Sequence, residues 1–373
     1  MAFSLFNRRD QVSSRRRPAA VALRLAALAA VASAATALPR QSTAAHAAGH
    51  VAAKGSFVVG VSNNLVGNGW RDEMICSAQA EATASHGAVK KVLVSDVNGD
   101  AAAQAAGIRS LISSGVNALV IDPPNATGLN SVIREATQRG VVVVIVDQFI
   151  TSSSPRVYQA ANDQVAYGRL GMEWLAKRLH GKGNVVLLQG IAGAPADTDR
   201  YTGIQQALTK YPGIKVIAKP YTGWQFAPGG KAMSDQLAAH SNIDGVWTSG
   251  IDYTAVNAFQ TAHHKYAPVV GADNNGFVKQ ILTLHSAGFD GAAVTNPANI
   301  GGVGMSIAIS VLQGQMMQHK VSLTPEVWDY ATALSTLQSR YLPKQAPTYS
   351  VQYNIKPYTH YTQQQLTACA KVG

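Results

Sequence analysis

Short apolar runs alternate with amphipathic stretches of helical length from Phe57 onward. Nine of these runs have strand character, and they lie at 57–62, 91–96, 117–122, 141–147, 184–190, 214–219, 244–250, 267–273 and 291–296. Runs as continuous as VVVVIVD have no polar face, which is typical of strands that helices cover on both sides of a parallel sheet. The pattern therefore predicts an α/β fold.

Polar residues stand where several of these runs end. Asp147 and Gln148 follow the fourth run, Asp273 and Asn274 the eighth, and Asn296 the ninth. Because ligands of open α/β sheets bind outside the carboxyl ends of the strands, we expect a functional site at these residues.

The strands and helices form two series that divide near residue 160. The amphipathic pattern predicts helices over 72–86, 101–114, 127–139 and 164–179. The segment 157–161 is interpreted as the crossover between the series. Because the chain is longer than a single core usually supports, we expect two domains.

The first 47 residues have the features of a secretory signal peptide. Five arginines between positions 8 and 17 precede an apolar segment at 19–38, and the small-residue step Ala45-His46-Ala47 follows it. The apolar segment is rich in alanine and contains Arg24, which argues against a stable membrane anchor. We expect the mature protein to be soluble outside the cytoplasm, without a segment that spans the membrane.

Removal of residues 1–47 changes how the net charge of +11 is interpreted. This segment holds seven of the 31 Lys and Arg residues and one of the 20 Asp and Glu residues, which leaves about +5 for the remainder. Much of the basic character therefore belongs to the export signal, and nucleic acid is not expected as a partner.

Cys76 and Cys369 are the two cysteines of the chain. In an exported protein such a pair usually forms a disulfide, and two small buried hydrophobic residues are the alternative. A bridge between them would fix the C-terminal tail to the first predicted helix.

An ordered series of segments resembles the periplasmic sugar-binding proteins of the ribose and galactose type, which are the extracytoplasmic receptors of ABC importers. The segments are VNALVIDPPNATGLNSVIREATQRGVVVVIVDQ at 116–148, LLQGIAGAPADTDRYTGIQQAL at 187–208, APVVGADNN at 267–275 and DGAAVTNPANIGGVGMSIAISVLQG at 290–314. The likeness covers the chain from Phe57 to about Tyr330.

The resemblance implies two similar Rossmann-like lobes with parallel sheets, which are joined by three crossovers and close on a ligand about a hinge. It places 55–161 and 297–331 in the N-terminal lobe, and 162–296 and 332–373 in the C-terminal lobe. If the tail crosses the hinge, we expect the disulfide near the hinge axis, because a bond far from the axis would resist closure.

The resemblance also implies the function. It indicates a monomeric receptor that captures a monosaccharide or related polyol and delivers it to the permease subunits of an ABC importer. A ligand-sensing partner of a chemoreceptor or of a membrane sensor kinase is the alternative.

By position, the resemblance implies a set of ligand-binding residues. A sugar offers apolar ring faces and a rim of hydroxyls, so aromatic platforms and planar polar groups suit it. The candidates are Asn63, Asn68, Trp70, Arg71, Asp147, Gln148, Asp197, Arg200, Trp224, Asp252, Asp273 and Asn296.

Because of three departures from the ribose-type pattern, the identity of the ligand does not follow from the resemblance. Gln148 and Thr198 stand where that pattern has arginine, and Gly250 stands where it has asparagine, with Asp252 nearby. Some candidates also have structural alternatives: Asp147 and Asp273 as helix or turn caps, and Arg200 as an ion-pair partner of a neighbouring aspartate. Ribose itself is therefore not assigned.

Motifs of common catalytic sites are absent from the sequence. There is no Gly-x-Ser-x-Gly elbow, Walker loop or His-Glu-x-x-His motif, and His263-His264 has no carboxylate or cysteine at metal-ligand spacing. Catalysis by a pair of carboxylates, as in glycosidases, is an alternative that the sequence does not test, because the distance between two carboxylates cannot be obtained from sequence. We expect a binding protein without catalytic activity, metal or cofactor.

Overall fold

Two six-stranded sheets organise the part of the chain that the structure describes. This computed structural model describes residues 57–98, 100–352 and 354–369, so the predicted signal peptide at 1–47 lies outside the described residues. The strands are β1 (Phe57–Asn63), β2 (Val89–Asp96), β3 (Ala118–Ile121), β4 (Val142–Asp147), β5 (Val157–Asn162), β6 (Lys182–Leu188), β7 (Gly213–Ala218), β8 (Gly245–Thr248), β9 (Val269–Ala272), β10 (Gly291–Val294), β11 (Lys320–Leu323) and β12 (Val327–Asp329). The α-helices are α1 (Gly69–Ala84), α2 (Ala101–Ser113), α3 (Asn130–Gln138), α4 (Gln164–Arg178), α5 (Pro195–Leu208), α6 (Phe226–Ala239), α7 (Asp252–Thr261), α8 (Asn275–Thr283), α9 (Ile300–Leu312), α10 (Tyr330–Arg340) and α11 (Gln363–Thr367).

The first sheet has the strand order β11-β5-β4-β3-β1-β2, and its neighbouring strands are parallel. The second sheet has the order β12-β10-β9-β8-β6-β7 and is parallel apart from the antiparallel pair of β10 and β12. We call the units built on these sheets lobe 1 and lobe 2. The prediction of two similar α/β lobes is confirmed.

Consecutive residues of a central strand enter two different cores, which explains the unbroken apolar runs. In β4, Val144 and Val146 pack with α1 and α9, whereas Val143 and Ile145 pack with α2 and α3 on the other face of the sheet. The strand β6 behaves in the same way in lobe 2, between α4 and α5 on one face and α6 to α8 on the other. Burial on both faces therefore requires an apolar residue at every position.

Within the described residues the chain passes between the lobes four times. The first three passages join β5 to α4, β10 to α9, and β11 to β12. The fourth follows α10, which packs on lobe 2, and leads to α11, which packs on α1 of lobe 1. The lobe bounds predicted from sequence therefore differ at two places: β12 belongs to the sheet of lobe 2, and the end of the tail lies on lobe 1.

Three short strands did not stand out in the sequence. The segment predicted as a crossover near residue 160 forms β5, which pairs with β4 and β11 in the first sheet, and its sequence VYQAAN has few large apolar residues. The strands β11 and β12 each lie at the edge of a sheet and are four and three residues long. These two edge strands are short and carry polar residues, so they lack a continuous apolar run.

The predicted disulfide between Cys76 and Cys369 is present, with a Cα–Cα distance of 5.5 Å. Cys76 lies on α1, and the tail beside it contributes Tyr361 and Leu366 to a small core with Ala80. The bridge therefore joins two segments of the same lobe. The bond itself therefore does not cross the cleft between the lobes.

No helix in the described part of the chain combines the length and the apolar character that crossing a membrane requires.

Candidate functional site

A cavity lies between the lobes at the carboxyl ends of their strands. The space between its walls, including the part that is open to solvent, is about 570 Å³. Eight of the twelve predicted ligand-binding residues line it: Asn68, Trp70, Arg71, Asp147, Arg200, Trp224, Asp273 and Asn296.

Asp147 ends β4 and is 4% exposed. Its backbone is in the left-handed region, with φ of 68°, which is uncommon outside glycine and often marks functional sites. Its Oδ1 accepts hydrogen bonds from the amides of Asn162 (3.2 Å) and Gln164 (2.9 Å). Neutral amides therefore hold one carboxylate oxygen, and Oδ2 accepts no hydrogen bond from the described residues.

Arg71, in the first turn of α1, is buried and forms an ion pair with Asp122, which is completely buried at the end of β3. The guanidinium also lies 5.4 Å from the centre of the Trp70 ring. Burial lowers the pKa of Arg71 to about 10, and the nearby Asp147 carboxylate partly offsets this effect. Arg71 is therefore a cation at neutral pH that already has its own counter-charge.

Arg200, on α5 of lobe 2, is also buried. Its Nε donates to Oε1 of Gln164 (2.7 Å), and its Nη1 donates to the backbone oxygen (3.0 Å) and hydroxyl (2.9 Å) of Ser249. The guanidinium stacks over Tyr167 at 4.3 Å. Neutral groups, and not a neighbouring aspartate, therefore orient the Arg200 side chain. Their hydrogen bonds hold the guanidinium at the cavity.

The indole N–H groups of Trp70 and Trp224 both have acceptors in the protein. Trp70 donates to the backbone oxygen of Asn296 (2.7 Å), and Trp224 donates to the hydroxyl of Ser249 (3.0 Å). A Cβ at Gly190 would overlap the Trp224 ring, so glycine at that position leaves room for the indole. With their polar atoms satisfied, these two residues offer apolar surface to the cavity.

Replacement of Trp224 by alanine should weaken ligand binding by about 1 to 3 kcal/mol, because stacking and apolar burial are spread over a ring face. Calorimetric titration with a bound sugar or polyol measures the change. The matched control is Trp174→Ala, since Trp174 lies on α4 away from the cavity and donates to Asp329. Equal affinities of the two variants would exclude Trp224 from the binding surface.

Asp273 follows β9 in lobe 2 and is 1% exposed. Its Oδ1 accepts from the backbone N–H of Asn296 (2.9 Å), and its Oδ2 accepts from the hydroxyl of Ser350 (3.0 Å). Burial raises the pKa of this carboxyl, although these hydrogen bonds act in the opposite direction. Asp273 thus ties the passage after β10 and the C-terminal tail to the cavity wall.

Four predicted ligand-binding residues do not line this cavity. Asn63 donates to the backbone oxygen of Leu65 and to Asp96, so it fixes the loop after β1. Asp197 accepts from the backbone N–H of Gly190 (2.6 Å). The other two, Gln148 and Asp252, also have their side chains engaged by protein groups.

Gln148 forms a bond across the cleft. Its amide nitrogen donates to the Asp122 carboxylate (3.2 Å) and to Pro123, and its Oε1 accepts from the backbone N–H of Ala196 in lobe 2 (3.1 Å). Asn68 of lobe 1 likewise donates to the backbone oxygen of Trp224 in lobe 2 (2.7 Å). Both lobes are therefore in direct contact beside the cavity, in a closed arrangement.

Asp252 lies beneath the cavity wall at the start of α7 and has no exposed surface. Its carboxylate accepts from Thr248 and from Asn274, and a Cβ at Gly271 would overlap it. Burial raises its pKa to about 8. Asp252 supports Asn274, which does line the cavity.

Asp252 should make the protein less stable as pH rises. A carboxyl with a raised pKa in the folded state contributes stability that is present below about pH 4 and is lost towards about pH 8, by at most about 1.4 kcal/mol per pH unit. Asp252→Asn removes this titration, so its melting temperature should improve relative to wild type between about pH 5 and about pH 8. If the melting temperatures of the two proteins changed with pH by the same amount across this range, that result would contradict the raised pKa of Asp252.

Several cavity residues were not predicted. Ser249 lies in the seventh apolar run and directly follows β8, so the strand-end rule that selected Asp147 also applies to it. Thr348 and Ser350 come from the tail, where no strand or helix pattern marks them. Ser350 is held by Glu73 of α1, which accepts from its backbone N–H (2.6 Å).

In the described residues, no group of three or more His, Cys, Asp or Glu side chains is arranged to hold a metal ion.

Relatives with assigned ligands match much of this chain. A xylitol-binding protein of Mycolicibacterium smegmatis is 31% identical over 221 residues, which are 58% of this chain and 62% of that protein. A ribose import binding protein of Escherichia coli is 27% identical over 231 residues, which are 61% of this chain and 77% of that protein. The matched part therefore spans less than two thirds of the xylitol-binding protein.

Solved structures share the fold. The periplasmic binding protein of the arabinose ABC transporter from Shewanella sp. ANA-3, bound to L-arabinofuranose, has a TM-score of 0.69 at 26% identity. The match covers 76% of this chain and 95% of that structure.

A family model described as the periplasmic binding protein domain matches residues 59–316, which is more than half of the chain and contains most of both lobes. The two lobes, the cleft between them and the crossovers agree with that assignment. The chain belongs to the periplasmic binding protein family.

Proposed function

We propose that this protein is a periplasmic receptor that captures a monosaccharide or related polyol in the cleft and delivers it to an ABC importer. The observation that carries the proposal is the cavity itself, where Asp147 of lobe 1 and Asp273 of lobe 2 lie together with Trp70 and Trp224. Carboxylates accept hydroxyl bonds, and indole rings cover the apolar face of a sugar.

The charges at the cavity favour an uncharged ligand. Arg71 has Asp122 as its counter-charge, and Arg200 shares the cavity with the carboxylates of Asp147 and Asp273. An amino acid or a phosphate would need a cation that is free of such partners. A neutral polyhydroxylated molecule needs only directed donors and acceptors, which the cavity residues supply.

The relatives support the same class of ligand, because their names describe binding of xylitol, ribose and arabinose. The family consists of solute-binding proteins, and we infer that this member also performs no chemistry on its ligand. Its residues 1–47 would direct export and then be removed.

Binding and closure are coupled in this proposal. The bonds of Asn68 to Trp224 and of Gln148 to Ala196 exist only when the lobes meet. A ligand that contacts both lobes adds binding free energy to the closed form alone, so it shifts the population towards that form. The importer would recognise the surface that the two lobes present together.

A thermal-shift screen of the exported protein tests the proposal. The panel contains xylitol, D-ribose, L-arabinose, other monosaccharides and polyols, disaccharides and amino acids. We expect at least one monosaccharide or polyol to raise the melting temperature in a dose-dependent way. Stabilisation by amino acids alone, or by nothing in the panel, would refute the sugar assignment.

A further inference from the structure

Gln164 is a buried side chain at the junction of the lobes. It is the first residue of α4, directly after the passage from β5, and it is 3% exposed. It does not line the cavity, and no motif of the sequence marked it.

Its amide contacts three candidate ligand-binding residues at once. The nitrogen donates to Oδ1 of Asp147 (2.9 Å) and to Oδ1 of Asn296 (3.2 Å), and the oxygen accepts from Nε of Arg200 (2.7 Å). One side chain thus connects a carboxylate of lobe 1 with a guanidinium of lobe 2.

Close packing of α4 and α5 permits this contact. A Cβ at Gly168 of α4 would overlap the backbone oxygen of Arg200, and a Cβ at Gly203 of α5 would overlap the backbone oxygen of Val165. The two glycines therefore let the helices approach until Arg200 reaches the first turn of α4.

The chemistry of the contact requires an amide. The carboxylate of Asp147 accepts only, and the guanidinium of Arg200 donates only. Glutamate would serve Arg200 but would repel Asp147, and lysine would serve Asp147 but would repel Arg200. Glutamine supplies a donor on one side and an acceptor on the other without adding a charge.

We propose that Gln164 is a positioning residue, which holds Asp147 and Arg200 in the orientations that receive the ligand. It acts through these two residues and does not touch the ligand. This inference rests on the proposed sugar-binding function of the same cleft.

Two variants separate positioning from general support of the fold. Gln164→Leu removes both kinds of bond and should weaken binding of xylitol, D-ribose or L-arabinose, whichever binds to wild type, by about 10- to 100-fold. Gln164→Glu keeps an acceptor for Arg200, which is the positive charge in direct contact, but places a carboxylate against Asp147. Arg71, which interacts electrostatically with Asp147, and Asp163, the preceding residue, are further charged groups nearby. Like charges at this distance favour a shared proton, which restores a donor.

The dependence of Kd on pH is the decisive measurement. For Gln164→Glu, the ratio of its Kd to the wild-type Kd should be at least about threefold larger at about pH 8 than at about pH 5. The matched control is Gln159→Glu, since Gln159 is equally buried in β5 and its Oε1 accepts from Ile150. The control ratio should stay constant with pH. Wild-type affinity for Gln164→Leu, or a constant ratio for Gln164→Glu, would overturn the proposal.

A ligand-free measurement distinguishes this inference from the proposed function. Without ligand, Gln164→Glu should lose melting temperature relative to wild type as pH rises, because the native carboxyl pair binds more protons than the unfolded chain. If wild type binds none of the three sugars, the proposed function fails, while this melting profile still tests the contact of Gln164 with Asp147. Parallel profiles would refute that contact.

Discussion

Replacement of Asp147 by alanine should weaken sugar binding by about 2 to 4 kcal/mol, which is about 30- to 1,000-fold in Kd. The carboxylate is buried at the cavity, and its Oδ2 accepts no hydrogen bond from the described residues, so it is available to ligand hydroxyls. Without it, those hydroxyls would be unpaired in a closed site. Asp273→Ala should have a similar effect from the opposite lobe.

Calorimetric titration of the variants checks this expectation. The matched control is Asp96→Ala, because Asp96 ends β2 of the same sheet and accepts from Asn63, yet does not line the cavity. Its loss should change Kd little. If Asp147 and Asp273 were only structural caps, their variants would melt at a lower temperature without ligand but bind with near-native affinity, and that result would refute this placement of the site.

Loss of the disulfide should lower the free energy of unfolding by about 2 to 5 kcal/mol. The bridge closes a loop with a sequence separation of 293 residues, so it restricts the unfolded chain strongly. The variant is Cys76→Ser combined with Cys369→Ser. Because both segments belong to lobe 1, ligand affinity should remain close to that of wild type.

Urea unfolding of this double variant and of reduced wild type measures the effect, and the two should agree. Intact-mass analysis with and without reduction first establishes the bridge in exported material. Two free thiols in that material, or an unchanged unfolding midpoint after removal of both cysteines, would contradict the stabilising role.

The fold was largely predictable because its central strands are buried on both faces. VVVVIVD could form β4 only where both neighbouring layers are apolar, and the structure supplies those layers. The short strands β11 and β12 and the return of the tail to α1 were not predictable in this way. Their positions depend on contacts with distant elements, such as Tyr361 with Asn299, which leave no periodic pattern in the sequence.

The candidate site was predictable where a polar residue ends a strand or follows its end by one or two residues. Asp147, Asp273 and Asn296 follow that rule and line the cavity. Asp252 and Gln148 lie just beyond strand ends too, but their side chains turn into contacts with protein groups. Sequence position alone does not distinguish a side chain that lines the cavity from one that forms hydrogen bonds with the protein around it.

A crystal structure with the most stabilising sugar or polyol of the screen tests the central claim most directly. We expect the ligand in the cleft beside Trp70 and Trp224, with hydroxyls at hydrogen-bond distance from both Asp147 and Asp273. A ligand bound outside the cleft, or held by one lobe alone, would contradict capture between the lobes.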